Sequence, residues 1–409
     1  MKKFLAILLC VAMIVCMAAG CGSSSSSTTT TDTSSTTTDT TAADTVDTGD
    51  TAADDTDAEP AAEADISVAM ITDYGDITDQ SFNQTTYEAC VEYCNANGID
   101  FQYYKPTGDS TAERVSSTEQ AIGAGYTVIV MPGYAFAGTI EELAGDYPEI
   151  TFIALDVSSS DFSEGYTLPE NVYCAVYQEE LAGYMAGYAA VKLGYTHLGF
   201  LGGMAVPAVV RYGYGYIQGA DAAAAEFGAD VTIEYCYGDT FQADADVTAV
   251  MDTWYQTLGV EVVFACGGGI YGSAAEAAAK VDAKVIGVDV DQAASIDGTY
   301  GEGMTVTSAM KGLAATVKTM LQIIVDGDFA SYGGQIDTLG LVSDSDMEAN
   351  YVQIPMESTQ WDDNFTQDDY TALVADMYSG ALTVNNDTSI SAADCATVVT
   401  VNDYGSIKN

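Results

Sequence analysis

Ile66-Ser67-Val68-Ala69-Met70-Ile71-Thr72-Asp73-Tyr74-Gly75-Asp76-Ile77-Thr78-Asp79-Gln80-Ser81-Phe82-Asn83 decides the fold of this chain. The apolar run Ile66 to Ile71 reads as a buried strand, and Gln84 to Ala96 reads as a helix. Between them an acidic, glycine-bearing loop sits at the carboxyl end of a first strand, the edge at which open α/β sheets bind their ligands. The loop offers carboxylates, an amide and an aromatic ring close together. Those groups suit gripping a polar ring system, not cutting one.

The same alternation runs along the rest of the chain. Strand-like runs recur at Phe101–Tyr104, Thr127–Met131, Thr151–Leu155, Asn171–Tyr177, His197–Leu201, Val231–Tyr237, Val260–Ala265, Val285–Asp289 and Met304–Ser308. Helical stretches such as Thr111–Gly123, Gln178–Leu193, Val209–Phe227 and Ser273–Val281 separate them. Strands alternating with helices imply parallel sheets covered on both faces. The pattern starts over near His197, so we expect a two-lobed α/β fold of the type I periplasmic-binding-protein kind, with a ligand cleft between lobes. The expected boundaries are 66–175 with about 292–326 for the first lobe, and 176–291 with about 327–385 for the second. The stretch 386–409 shows no clear pattern.

The amino terminus carries its own signals. Met-Lys-Lys precedes an apolar stretch, Phe4 to Ala19, and Ala18-Ala19-Gly20 precedes Cys21. This reads as an export leader over 1–20 with a lipidated cysteine at 21, as in a bacterial lipobox. From 21 to 65 the chain is almost all Ser, Thr, Ala and Asp, too poor in apolar surface to fold. Such a tether reaches roughly 35–40 Å and would hold a folded region off the outer face of a cell membrane.

Charge excludes several partners. The chain has 60 acidic and 11 basic residues, and Lys2 and Lys3 fall within the leader. So anionic a surface argues against nucleic acid and anionic lipid. Cys90, Cys94, Cys174, Cys236, Cys266 and Cys395 show no paired CxxC spacing. His197 stands alone at a strand start, which gives no catalytic triad. No cofactor or metal is expected.

Several residues carry two readings. Gly267-x-Gly269-x-x-Gly272 follows a strand, precedes a helix and has Asp289 downstream, which matches a dinucleotide fingerprint and would make the chain an exported oxidoreductase. Tight strand-to-helix packing is the other reading of those glycines. Asp79 reads as a ligand group or as a helix cap. Phe82 and Tyr212 read as site aromatics or core aromatics, and Lys311 as a site cation or a solvated helix start.

Ordered blocks then point to a family. Asp79-Gln80-Ser81-Phe82-Asn83, Met131-Pro132-Gly133-Tyr134, Phe152 to Asp156, Gln178-Glu179-Glu180, Gly199 to Met204, Val210-Arg211-Tyr212, Phe264 to Gly268, Ile286 to Gln292 and Thr307 to Lys311 resemble the basic membrane protein lipoproteins. These are substrate-binding proteins of ABC transporters whose best-understood members bind purine nucleosides. The resemblance spans about Ile66 to Leu382. It implies that Phe82 and Tyr212 sandwich a purine ring, with Tyr at a position where the family usually has Phe. It implies that Asp79, Asn83 and Asp156 meet polar edges of the ligand, that Asp289 and Lys311 hold ribose hydroxyls, and that Gly267 and Gly268 allow close backbone approach. The loop containing Tyr271 departs from the family pattern.

The implied function is capture of a purine nucleoside (guanosine, inosine or adenosine) and delivery to a membrane permease with its ATPase. The protein would be a non-enzymatic monomer. Only Arg211 and Lys311 among the basic residues fall within site motifs, which points to a neutral ligand, since phosphates usually call for more cations. An exported sugar or signal receptor without a transporter is the alternative within the binding class.

Overall fold

A computed structural model describes residues 66–73 and 75–408. The leader, Cys21 and the tether lie outside the described residues. Two sheets form. The first has six strands in the order β11-β5-β4-β3-β1-β2, and the second has seven in the order β12-β10-β9-β8-β6-β7-β13. All pairings are parallel except β12 with β10.

The first lobe builds β1 (Ser67–Ile71), α1 (Phe82–Asn97), β2 (Asp100–Tyr104), α2 (Thr111–Gly123), β3 (Val128–Pro132), α3 (Ala137–Leu143), β4 (Thr151–Leu155) and β5 (Val172–Tyr177) in sequence. The chain then crosses to the second lobe. There it forms α4 (Glu179–Lys192), β6 (His197–Gly202), α5 (Pro207–Phe227), β7 (Thr232–Tyr237), α6 (Ala245–Thr253), β8 (Val262–Cys266), α7 (Tyr271–Ala278), β9 (Lys284–Asp289), α8 (Ala293–Tyr300) and β10 (Thr305–Lys311). β3 and β8 are wholly buried, as central parallel strands covered on both faces must be.

Two more crossings follow. α9 (Leu313–Val325) packs back on α1, and β11 (Gln335–Leu339) joins β5 in the first sheet. β12 (Val352–Gln353), α10 (Gln367–Tyr378) and β13 (Thr400–Ser406) belong with the second lobe. The three crossing segments hydrogen-bond to one another. Gln178 N donates to Leu339 O (2.9 Å), Gly312 N to Tyr351 O (2.7 Å) and Tyr351 N to Gly340 O (3.0 Å). Gly312 and Gly340 suit these posts, because a side chain at either would strike Tyr351 or Gln178.

This arrangement corrects the expected boundaries. The stretch 292–326 splits at Gly312: α8 and β10 lie in the second lobe, and only α9 returns to the first. The stretch 327–385 splits near Gly340, with β11 in the first sheet. Apolar strands look alike in sequence whichever sheet they enter. The stretch 386–409 is also not patternless. β13 pairs with β7 at the sheet edge, but its side chains are mostly exposed, so it lacks the apolar alternation that marks a half-buried strand. Polar contacts hold it, with Asn402 Nδ2 and Tyr404 Oη both donating to Glu234.

Helices α4 and α5 touch along Gly183 and Gly187 on one side and Gly215 and Gly219 on the other. A Cβ at any of these would overlap a backbone carbonyl of the facing helix. Gly187→Ala is therefore expected to lower the unfolding free energy by about 2–3 kcal/mol, as overpacked cores do. Gly123→Ala, at a helix end where nothing lies within 4 Å, should be neutral or stabilise by up to about 1 kcal/mol. Urea melts of the two variants check the contrast.

Candidate functional site

The carboxyl ends of β1, β4, β8, β9 and β10 converge on one cleft between the lobes, with about 670 Å³ of empty space. Asp79, Phe82, Asn83, Asp156, Tyr212, Gly267, Gly268, Asp289 and Lys311 all line it.

Two of the carboxylates stand at the carboxyl ends of their strands, and their backbones share an uncommon conformation. Asp156 has φ +60° and Asp289 has φ +67°. Non-glycine residues held in this left-handed region cost on the order of 1–3 kcal/mol each and cluster at functional sites. The turn lifts each side chain off its sheet and into the cleft.

Lys311 ends β10 and is buried. Its Nζ lies 2.5 Å from Asp156 Oδ2, and 3.7 Å from both Glu179 Oε1 and Asp289 Oδ1. Burial disfavours its charge, yet Asp156, Asp289 and Glu179 hold the ammonium well above its ordinary pKa. The same nitrogen lies 4.8 Å from the Phe82 ring centre and 5.8 Å from that of Tyr212. An aromatic ring from each lobe thus flanks one cation. Tyr212 packs edge-on against Phe264, and its buried hydroxyl has no partner.

The first-lobe wall sorts the two readings of Asp79. Its Oδ1 accepts from Ser81 N (2.9 Å) and Gln84 N (3.1 Å), and its Oδ2 from Asn83 N (3.0 Å) and Asn83 Nδ2 (3.2 Å). Burial raises its pKa against those donors. With both oxygens engaged by the start of α1, Asp79 fixes the helix end and the Asn83 amide. It does so from the wall of the cleft, which it also lines. Asn83 Oδ1, by contrast, is buried without a partner.

Asp73, which the sequence reading passed over, lines the same cleft. Burial pushes its carboxyl up to about 6, against the pull of the Gly75 N–H and the Asn83 amide. Its position beyond the end of β1, like Asp156 just beyond β4 and Asp289 at the last residue of β9, was the signal that could have found it.

The lobes touch across the cleft mouth. Ser81 Oγ donates to Asp289 Oδ2 (2.6 Å), Gln292 Nε2 to Gln80 O (3.0 Å) and Ser295 Oγ to Gln80 Oε1 (2.7 Å). Gly268, at φ +52°, lets the β8 loop turn against Phe241. His197 sits away from the cleft, bonded through Nε2 to Glu234 (2.9 Å). Among the described residues, no His, Cys, Asp and Glu cluster is placed to hold a metal, and no helix is long and apolar enough to cross a membrane.

Residues 66–360 match the family described as ABC transporter substrate-binding protein, PnrA-like. The chain belongs to this family. It is accordingly a substrate-binding protein and not an enzyme, which removes the oxidoreductase reading of the Gly267–Gly272 loop. Among its relatives, a protein of Lactococcus lactis named as an ABC transporter nucleoside-binding protein is 28% identical over 295 residues, 68% of this chain and 79% of the relative. A Pyrococcus horikoshii protein described as a lipoprotein is 26% identical over 286 residues, covering 68% of this chain and 67% of the relative. A solved solute-binding protein of an Aeropyrum pernix ABC transporter system superposes with a TM-score of 0.60 at 22% identity, over 78% of this chain and 88% of that one. That likeness supports the periplasmic-binding-protein fold.

Two outcomes follow from the first-lobe wall. Asp79→Ala should lower stability by about 1–2 kcal/mol, as losing a helix cap does, measurable by urea unfolding. For Asp73, an unfolded carboxyl ionises near 4, whereas the folded one holds its proton to about 6. The native state binds the proton more tightly, so wild-type stability falls as pH rises through that window. Asp73→Asn, which cannot ionise, should therefore gain stability over wild type by on the order of 2 kcal/mol between pH 4.5 and 7.5, read from urea melts at both pH values.

Proposed function

We propose that the cleft closes on a purine nucleoside, and that this chain captures it outside the cell for an ABC permease and its ATPase. The carrying observation is the pair of rings, Phe82 from one lobe and Tyr212 from the other, around a pocket whose buried acceptors include Asn83 Oδ1 and Asp156 Oδ1, both without donors. A flat base stacked on an aromatic ring gains about 0.5–1.5 kcal/mol beyond burial. Ring N–H, amino and ribose O–H groups would supply donors to the orphan acceptors, removing a desolvation penalty of about 1–3 kcal/mol each. The nucleoside-binding name of the Lactococcus relative supports the same class.

Asp289 and Lys311 are assigned to ribose hydroxyls, Asn83 and Asp156 to polar ligand edges, and Gly267 and Gly268 to close backbone approach. Asp73 joins them at the first-lobe wall. Binding shifts the lobes from open to closed, and the cross-lobe bonds of Gln80 and Ser81 belong to the closed form. In this reading Cys21 carries the lipid, the acidic tether spans the gap to the outer membrane face, and the protein works as a monomer.

A thermal-shift panel tests it. Guanosine, inosine or adenosine at 100 times its dissociation constant should stabilise by about 2.7 kcal/mol, while ribose, cytidine and NAD leave the melting temperature in place. Phe82→Ala and Asp289→Ala should each abolish the shift while remaining folded. A panel in which ribose shifts the protein and no purine nucleoside does would favour the sugar-receptor reading instead.

A further inference from the structure

A smaller hollow opens off the cleft. It is lined by Ser158, Asp161 and Arg211, and shares Tyr134, Asp156 and Val206 with the main site. Arg211 engages Glu179 Oε2 through Nε at 2.7 Å, and among the described residues no acceptor takes its terminal nitrogens. A guanidinium on the wall of a hollow beside the main cleft, with Lys311 against the same Glu179, has the makings of a phosphate site.

Glu179 works against that use. It opens α4 immediately after the first crossing, and its side chain is fully buried. One oxygen binds Arg211, and the other lies 3.7 Å from Lys311 Nζ with no hydrogen-bond donor of its own. Glu179 lines neither the cleft nor the hollow, so it reaches a ligand only through the two cations. With Asp156 and Asp289 also against Lys311, carboxylates outnumber cations in this group three to two. Asp161 adds a further carboxylate on the hollow's wall, where it accepts from Ser158 N and Oγ.

We propose that Glu179 is a specificity-determining residue: by neutralising Arg211 and Lys311, with Asp161 as a second carboxylate on the hollow's wall, it keeps phosphorylated ligands out of a cleft that admits the parent nucleosides. The proposal rests on the nucleoside reading above. Glutamine at 179 can still accept from Arg211 Nε, so E179Q removes the charge and leaves the hydrogen bond.

The experiment is titration calorimetry of guanosine, inosine and adenosine, and of their 5′-monophosphates, against wild type, Glu179→Gln and Asp161→Asn, with circular dichroism to check folding. Wild type should bind a nucleoside and discriminate strongly against its monophosphate. E179Q should narrow the ratio of the two dissociation constants by roughly tenfold or more, and D161N by about threefold, as expected for one unit charge removed at short and longer range. A purely structural role for Glu179 would weaken both ligands together and leave the ratio in place. If E179Q does not fold, D161N decides. An unchanged ratio in the folded variants, or a wild type that binds monophosphate as tightly as nucleoside, overturns the proposal and leaves the nucleoside reading standing. A wild type that binds no purine nucleoside overturns that reading and this proposal with it.

Discussion

One buried ammonium organises the region between the lobes. Lys311 is closed off from water, and an unpaired charge there would be worth several kcal/mol of destabilisation. Its closest partner, Asp156, belongs to the first lobe. Asp289 belongs to the second, and Glu179 stands at the crossing between them. The shortest of its ion pairs therefore spans the two lobes. The left-handed strand ends, the flanking rings of Phe82 and Tyr212, and the bond from Ser81 to Asp289 all sit where that ammonium requires the two halves to meet.

Much of this was legible in the sequence because its signals are local. A strand of apolar residues ending in an acid, as in Phe152 to Asp156 or Ile286 to Asp289, announces both an element and a group at its tip. The expected cleft residues do line one pocket. Less legible was what each group is bonded to. Asp79 read as a ligand carboxylate or a helix cap, and the backbone amides of the next turn that bond its oxygens appear only once the turn is built. Asp73 lies in the quoted stretch, where Asp76, Asp79, Gln80 and Asn83 crowd the same loop and no local signal sets it apart from them. Glu179 and Arg211 were read as family blocks, with no hint that their side chains face one another across two helices.

The close approach of α4 and α5 gives that pair its geometry. Glycines on both helices bring the backbones together, and Glu179 and Arg211 lie just beyond that contact, at the end nearest the cleft. Wider spacing would pull the guanidinium away from Glu179 and loosen the hold on Lys311. Packing inside the second lobe and electrostatics at the crossing are therefore parts of one arrangement.

The three crossings also bear on how the chain is made. The first sheet needs β11 to cover β5, yet five of the seven strands of the second sheet are written between those two strands. As the chain emerges from its amino terminus, β5 must wait with an open, apolar edge until residues 335–339 arrive. The second sheet also receives one edge strand, β13, only at residues 400–406. Exposed strand edges are the surfaces by which nascent chains pair wrongly with their neighbours. The nested connectivity that creates the cleft thus leaves strand edges open during synthesis until residues 400–406 have appeared.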